Sequence, residues 1–160
     1  MTLPPPLPPI GKRDPGDAWV EGEDGQRFWG RFGAAGLLVW DRGAGILLQH
    51  RASWSHFGDT WGIPGGARKQ GESAEGAALR EAAEEARVPS ERLRVIHTSV
   101  YDLGFWSYTT VIAETLEPFD AVVADLESRE LRWVPVDVVD ELPLHPGFAT
   151  AWPELRTWLR

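Results

Sequence analysis

The sequence predicts an α+β domain, a mixed-sheet sandwich, on three observations. Segments that resemble strands stand mostly before and after one central helix, and further helical segments follow them, whereas parallel-sheet proteins alternate strands and helices regularly. The chain has 160 residues, of which 42% are apolar and 25% are charged, and this length and composition suit one globular domain with a sizeable core. No internal repeat is present, so solenoid architectures are excluded.

The first 33 residues are predicted to lie outside the main domain, which spans residues 34–160. Residues 1–17 form a proline-rich tail, because its prolines donate no backbone hydrogen bonds and favour extended conformations. A plain tail and a ligand for an SH3-type domain are the two alternatives. Residues 18–33 predict a hairpin extension, because Asp24 and Gly25 separate two apolar segments.

The strands of the main domain follow from apolar runs and from alternation. The continuous apolar run Ala34–Trp40 predicts a strand that is buried on both faces. Leu93–Tyr101 alternates, and the turn at residues 102–104 leads to a segment rich in aromatic and β-branched residues. The predicted strands are Ala34–Trp40, Gly45–His50, Leu93–Tyr101, Phe105–Ala113 and Glu130–Val134.

Three helices are predicted. The clearest is Glu72–Val88, with Ser73 as its N-cap. Val136–Leu142 and Ala151–Leu159 are also predicted to be helical, and Pro153 fits best in a first turn.

Composition and charge exclude several classes of protein. The chain has no cysteine, which rules out disulfides, thiolate catalysis and cysteine-ligated metals. No apolar run approaches the roughly 20 residues that span a membrane, and the N-terminus lacks the features of a signal peptide, so a cytoplasmic protein without membrane contact is expected. Sixteen basic and twenty-four acidic residues give a net charge of −8, which argues against binding to nucleic-acid polymers.

The central helix carries an acidic face. At about 100° per residue, Glu81, Glu84 and Glu85 fall within an arc of roughly 100°. Residues 72–85 contain five glutamates and one arginine, a net charge of 1 − 5 = −4. Like charges at this spacing destabilise a helix, and a hard divalent cation such as Mg²⁺ or Mn²⁺ would remove the repulsion. A solvated acidic face is the alternative, and geometry alone leaves both open.

The opposite side of this helix is rich in alanine, which allows close packing on a sheet. It is predicted to contain Leu79, Ala82, Ala83 and Ala86.

The residues from Gly66 to Val88 resemble the box of the Nudix hydrolase family, of the MutT-like kind. That box reads G-x5-E-x7-R-E-U-x-E-E-x-G-U, where U is a bulky apolar residue. The matching positions are Gly66, Glu72, Arg80, Glu81, Glu84, Glu85 and Val88. There are two departures. Arg87 stands where the family has glycine, which implies mild strain or a different helix ending, and Ala82 is smaller than usual in its apolar position.

The resemblance implies a Nudix fold, a mixed β-sheet sandwiched between α-helices. It also implies hydrolysis of a pyrophosphate bond in a nucleoside di- or triphosphate derivative by metal-activated water. Glu81, Glu84 and Glu85 would bind Mg²⁺ or Mn²⁺, and Gly66 would supply a backbone ligand or a bend. Arg80 would pair with a carboxylate, most simply that of Glu72, and orient the loop before the helix.

The resemblance leaves the general base open. Glu84 and Glu85 are candidates within the box. Glu127 and Glu130 lie in a later region where some family members place a catalytic glutamate, and each is otherwise an ordinary surface residue.

Substrate-binding candidates lie before and within the box. Arg51 and Lys69 would contact phosphate, and each is a solvated loop residue otherwise. Trp61 would stack on a nucleobase, and it fills the core otherwise. Tyr101 and Tyr108 match no subfamily marker, and no role is assigned to them.

Two other functions of the same fold remain open. A non-catalytic sensor of nucleotides or ADP-ribose would bind without turnover, but such proteins often lose box glutamates that are all present here. An isomerase of isopentenyl diphosphate commonly needs a cysteine, which this chain lacks. A small-molecule nucleotide is the expected partner, and a homodimer is compatible with the aromatic residues.

Overall fold

The computed structural model describes residues 14–124 and 128–160. Most of the predicted tail and the candidate base Glu127 therefore lie outside the described residues. The described chain forms a seven-stranded mixed sheet, a separate two-stranded hairpin and two α-helices. The strands are β1 Trp19–Glu21, β2 Arg27–Trp29, β3 Ala34–Asp41, β4 Gly45–Arg51, β5 Trp61–Gly62, β6 Gly65–Ala67, β7 Leu93–Asp102, β8 Ser107–Thr115 and β9 Ser128–Val134, and the helices are α1 Ala74–Ala86 and α2 Pro146–Leu155.

Strand β3 is the centre of the large sheet. It pairs in parallel with β8 along its length, whereas its pairing with β4 is antiparallel and confined to Trp40 and Asp41. At its other end, residues 34–36 pair with β6. Strands β3 and β4 therefore diverge, and the segment from Trp61 to Ala67, which lies outside the predicted strands, contributes two short strands between them.

The two faces of the sheet are covered by different helices. Helix α1 buries Ala77, Ala78, Ala82 and Ala86 against β3 and β8, as an alanine-rich face permits. The prediction that Ala83 lies on this face is wrong, because the buried stripe runs through Ala78 and Ala82 and leaves Ala83 exposed. Helix α2 packs on the other face, where Phe148, Trp152 and Leu155 join the second core cluster.

The C-terminal helix differs from the prediction. Helix α2 begins at Pro146, with His145 as its N-cap, and ends at Leu155, before a 3-10 turn. Pro153 lies inside the helix and not in its first turn. The predicted helix Ala151–Leu159 therefore begins five residues too late, whereas Pro146 occupies the first helical position, where proline is favoured. Val136–Glu141 is a 3-10 helix.

The hairpin β1–β2 packs against the domain through aromatic rings. The ring centroids of Trp19 and His56 are 6.0 Å apart, and those of Phe28 and Trp106 are 4.5 Å apart in a stacked arrangement. Gly25, at φ 82°, occupies the tight turn between the two strands. The predicted hairpin is therefore present, and it borders the loop after β4 and the start of β8.

Candidate active site

Helix α1 presents the acidic face in the predicted way. The Ser73 hydroxyl accepts a hydrogen bond from the Gly76 N–H at 3.0 Å and fixes the start of the helix. The side chain of Glu81 is only 16% exposed, whereas that of Glu84 is 57% exposed. The face therefore has a protected end that lies against the sheet and a hydrated end that water can reach.

Arg80 joins this helix to the loop before it. Its guanidinium binds both carboxylate oxygens of Glu72, at 2.8 and 3.0 Å, and donates to the Ala67 carbonyl at 3.1 Å. It also contacts Glu81 at 2.9 Å and Glu84 at 3.3 Å. Hydrogen bonding to Arg80 holds the pKa of the Glu72 carboxyl below its usual range. The implied pairing of Arg80 with Glu72 is therefore present.

Two adjacent glycines of β6, Gly65 and Gly66, contact the carboxylates of Glu85 and Glu81. The Gly65 N–H donates to Glu85 Oε2 at 3.1 Å. A Cβ atom on Gly66 would lie 2.7 to 2.9 Å from the three carboxylate atoms of Glu81, which is closer than such contacts occur. Gly66 lies within a strand and not at a bend, so its observed role is to let the Glu81 carboxylate rest against the backbone. A backbone metal ligand at Gly66 stays a prediction.

The surroundings of Glu81 disfavour the charged form of its carboxyl group, in spite of the contact with Arg80. Burial raises its pKa and the negative charge of Glu84 adds to this, while Arg80 opposes the shift. The neighbouring carboxyl of Glu85 also acts on the Glu81 carboxyl and lowers its pKa. Two carboxylates this close favour either a shared proton or a cation between them.

The side chains as they stand do not yet enclose an ion. Within residues 14–124 and 128–160, no three acidic or histidine side chains converge closely enough to hold a metal. Arg80 accounts for this, because it draws Glu81 and Glu84 toward itself. The donor set nevertheless fits Mg²⁺ or Mn²⁺, since it consists of carboxylate oxygens only and the missing Cβ of Gly66 lets the Glu81 carboxylate approach the backbone.

Arg51 is the basic residue predicted to contact phosphate. It ends β4 at a bulge, and its Nε donates to the His56 carbonyl at 2.8 Å. The charge of Arg51 also acts on the side chains of His56, His145 and Tyr108. The position suits the predicted phosphate contact, which stays a prediction.

The other substrate candidates are placed differently. Trp61 is 5% exposed, its ring stacks on His50 at 4.7 Å, and the Arg132 guanidinium lies 4.6 Å from its centroid. Its surface is thus largely covered by protein, and stacking on a nucleobase stays a prediction. Lys69 is exposed in the box loop, where its backbone N–H donates to Glu72.

Glu130 lies on β9 at a distance in sequence from the box. Its carboxylate binds the Arg132 guanidinium at 3.0 Å, and both side chains are about half exposed. Its pairing partner across the sheet is His50 of β4. A role as general base stays a prediction.

Helix α1 ends just before Arg87, the residue that stands where the family box has glycine. Arg87 adopts a left-handed conformation, with φ 56° and ψ 33°, and its N–H reaches the Ala83 carbonyl at 3.1 Å. The Arg87–Ala83 bond is the 5→1 bond of an αL motif, and the Val88 N–H bonds to the Ala82 carbonyl at 3.3 Å. The helix ending is thus the one that glycine would provide, and the predicted mild strain is present.

A mixed sheet between helices, with a loop and helix that carry clustered glutamates, defines the Nudix class of hydrolase. The NUDIX domain family model matches residues 30–155, so the chain belongs to this family and is a Nudix hydrolase. The match leaves out the whole hairpin β1–β2.

Relatives and solved structures agree with this assignment. The chain is 50% identical over 155 residues to a Mycobacterium tuberculosis protein named "Putative 8-oxo-dGTP diphosphatase 3", with 91% of this chain and 71% of the relative covered. It is 42% identical over 159 residues to a Bifidobacterium longum "Nucleoside triphosphate pyrophosphatase/Nudix hydrolase fusion protein", with 92% of this chain and 32% of that protein covered. The crystal structure of a Nudix hydrolase from M. smegmatis, RenU, matches with a TM-score of 0.80 at 52% identity, covering 89% of this chain and 94% of that one. The predicted α+β fold is confirmed.

Sequence reasoning left two residues of the site without a role. The charge of Arg51 acts on both Tyr108 and His145, although one belongs to β8 and the other precedes α2. The sequence signal for His145 was its place before Pro146, as a helix N-cap. Tyr108 carried no such signal. No helix of the described residues is long and apolar enough to cross a membrane.

Proposed function

We propose that this protein hydrolyses a pyrophosphate bond in a nucleoside di- or triphosphate derivative, in a reaction that depends on Mg²⁺ or Mn²⁺. The observation that carries the proposal is the seating of Glu81 and Glu85 on Gly65 and Gly66, in a region where the charges of Arg51 and of both glutamates act on Tyr108. Carboxylates that hold a divalent cation and an arginine that binds phosphate are the two parts that such a reaction needs. The names of the relatives, a diphosphatase and a pyrophosphatase, support it.

Glu81, Glu84 and Glu85 are the residues that would hold the metal. When bound, a divalent cation neutralises phosphate oxygens and lowers the pKa of a coordinated water. The chain's own part is to keep the three carboxylates on one side of the phosphate. Glu72 contributes indirectly, because it holds Arg80 and, through it, the loop that contains Gly66.

The general base belongs to the same acidic face. Glu84 is the hydrated glutamate of the three and Glu85 is the one bound to the Gly65 N–H, and either can take a proton from the attacking water. Glu130 is the less favoured candidate, because its carboxylate is engaged with Arg132.

The substrate is a small nucleotide and not a polymer. The net charge of −8 repels long polyanions, whereas half of that excess lies within residues 72–85, where a bound divalent cation would offset part of the negative charge and attract phosphate oxygens. Arg51 and Lys69 would contact phosphate, and Trp61 would contact the nucleobase. The relative's name makes 8-oxo-dGTP the first compound to test, followed by ADP-ribose, dinucleoside polyphosphates and NADH.

A panel of these nucleotides, assayed for phosphate or pyrophosphate release with and without Mg²⁺ or Mn²⁺, tests the proposal. The proposed function predicts metal-dependent turnover that Glu84→Gln and Glu85→Gln reduce. Glu75→Gln is the matched control, because Glu75 lies exposed in the first turn of the same helix and away from the acidic face. Nucleotide binding without turnover would identify a sensor instead.

A further inference from the structure

The hydroxyl of Tyr108 is held against the backbone of two glycines. Tyr108 lies on β8, in parallel register with Ala34 of β3. A Cβ atom on Gly36 would lie 2.0 Å from the Tyr108 hydroxyl oxygen, and one on Gly65 would lie 2.9 Å from it. Both positions therefore need glycine, and the side chain reaches over β3 to the edge of β6.

Gly65 also connects this hydroxyl to the acidic face. The Gly65 N–H donates to Glu85, while the side of Gly65 that a Cβ would occupy faces Tyr108. Glu85, Arg51 and Glu81 are the charged residues that act on the phenol. The hydroxyl thus lies beside the glycine that binds Glu85, within the influence of the charges of Arg51 and both glutamates.

The hydroxyl has no protein partner in the part of the chain that the structure describes. None of the hydrogen bonds found in residues 14–124 and 128–160 involves it, although a tyrosine hydroxyl in a half-buried position usually finds one. A neutral phenol carries an O–H that can donate a hydrogen bond. A donor that bonds to none of the described residues, beside the glycine that binds Glu85, suits a phosphate oxygen.

We propose that Tyr108 contacts the substrate and that its hydroxyl donates a hydrogen bond to a phosphate oxygen of the bound nucleotide. The nucleotide would lie between Arg51 and the carboxylates of α1, so the inference rests on the proposed function. A phosphate fits this place better than a nucleobase. The charged residues that act on the hydroxyl are an arginine, which can bind phosphate, and two glutamates that would hold the divalent cation.

The first test compares Tyr108→Phe with Tyr101→Phe, which are matched because the chain has only two tyrosines. Tyr101 is 57% exposed on β7 and pairs with Tyr108 across the strands. A hydrogen bond to a charged group predicts that Tyr108→Phe lowers kcat/KM about tenfold to a hundredfold. Tyr101→Phe should leave it unchanged, and neither variant should shift the thermal unfolding midpoint. Equal kcat/KM for Tyr108→Phe and the unmodified protein overturns the inference.

The second test needs no turnover. In the Tyr101→Phe protein labelled with 3-fluorotyrosine, Tyr108 gives the single ¹⁹F signal. The probe is methylenediphosphonate, a pyrophosphate analogue that cannot be hydrolysed, added after saturation with Mg²⁺. The inference predicts a shift of the signal beyond that produced by Mg²⁺ alone, whereas an unmoved signal with bound probe contradicts it.

The two tests separate this inference from the proposed function. Turnover by the unmodified protein with an unaffected Tyr108→Phe variant would overturn the inference alone. Absence of turnover with every nucleotide would overturn the proposed function, and the fluorine experiment would still decide whether Tyr108 contacts a phosphate.

Discussion

Arg80 and Glu72 form a two-point ion pair across eight residues of sequence, with Nε–Oε2 at 2.8 Å and Nη2–Oε1 at 3.0 Å. Both side chains are about one-fifth exposed, so the pair lies partly out of solvent. Since Arg80 also donates to the Ala67 carbonyl, it connects the box loop to the helix that presents the glutamates. The position of the acidic face thus depends on a contact that itself touches neither metal nor substrate.

Glu72→Gln should therefore destabilise the protein. The substitution leaves the guanidinium without its two-point partner, and we expect a loss of about 2 kcal/mol in the free energy of unfolding. Urea unfolding measures it. Glu117→Gln is the control, because its pair with Arg92 is long, at 3.8 Å, and well exposed. Equal losses of stability in the two variants would contradict a stabilising role for the Arg80–Glu72 ion pair.

Gly66→Ala should separate activity from stability. The new Cβ would displace the Glu81 carboxylate, which sits 2.7 to 2.9 Å from that position but at the end of a flexible side chain. We expect kcat/KM to fall at least about tenfold, because a misplaced ligand affects the reaction more than the fold. Gly43→Ala meets only an ordinary contact of 3.4 Å and should leave kcat/KM unchanged. Full activity of Gly66→Ala would show that the reaction does not depend on the position of the Glu81 carboxylate against Gly66.

Arg87→Gly should stabilise the protein. A residue with a Cβ at φ 56° is strained, and glycine relieves the strain, so we expect a gain of about 1 kcal/mol in the free energy of unfolding. Arg87→Ala removes the same side chain but keeps the Cβ, and it should bring no such gain. If alanine stabilises as much as glycine does, the side chain and not the backbone is responsible.

His145 should make stability depend on pH. Burial, with Arg51 and His56 adding to it, lowers the pKa of His145 to about 4, from 6.5. The unfolded chain takes up a proton as the pH falls through 6.5, whereas the folded chain does so near 4. The contribution of this group is therefore fully present above pH 6.5 and declines between about 6.5 and 4, by on the order of 3 kcal/mol.

Unfolding of His145→Asn across this pH range checks the prediction. In the folded protein, His145 Nδ1 accepts the hydrogen bond of the Gly147 N–H at 3.1 Å, and asparagine caps a helix equally well. The variant keeps the cap without the titration, so its stability should decline less than that of the unmodified protein. Parallel pH profiles would contradict the assignment.

The box could be predicted from the sequence because it is local. The spacing of Glu81, Glu84 and Glu85 fixes their common face once α1 forms, and Ser73 marks where it begins. Pairing of Arg80 with Glu72 followed from the family pattern, since both residues lie in one loop-helix unit.

The rest of the site depends on contacts between distant residues. The parallel register of β3 and β8 brings Tyr108 over Gly36, 72 positions earlier in the chain, and no local pattern indicates it. The strand at Gly65 was missed because two glycines favour a loop, although here they serve close approach. The start of α2 at Pro146 was missed because Pro-Gly resembles a break.

Magnesium dependence of nucleotide hydrolysis in the unmodified protein and in Glu85→Gln tests the central claim most directly. Phosphate or pyrophosphate release would be measured against Mg²⁺ concentration, with EDTA as the metal-free reference and Glu75→Gln as the control. We predict turnover that EDTA abolishes and that Mg²⁺ restores, a fall of at least about a hundredfold in kcat for Glu85→Gln, and an unchanged control. Turnover that persists in EDTA, or full activity of Glu85→Gln with its fold intact, would contradict the assignment of the acidic face as the catalytic metal site.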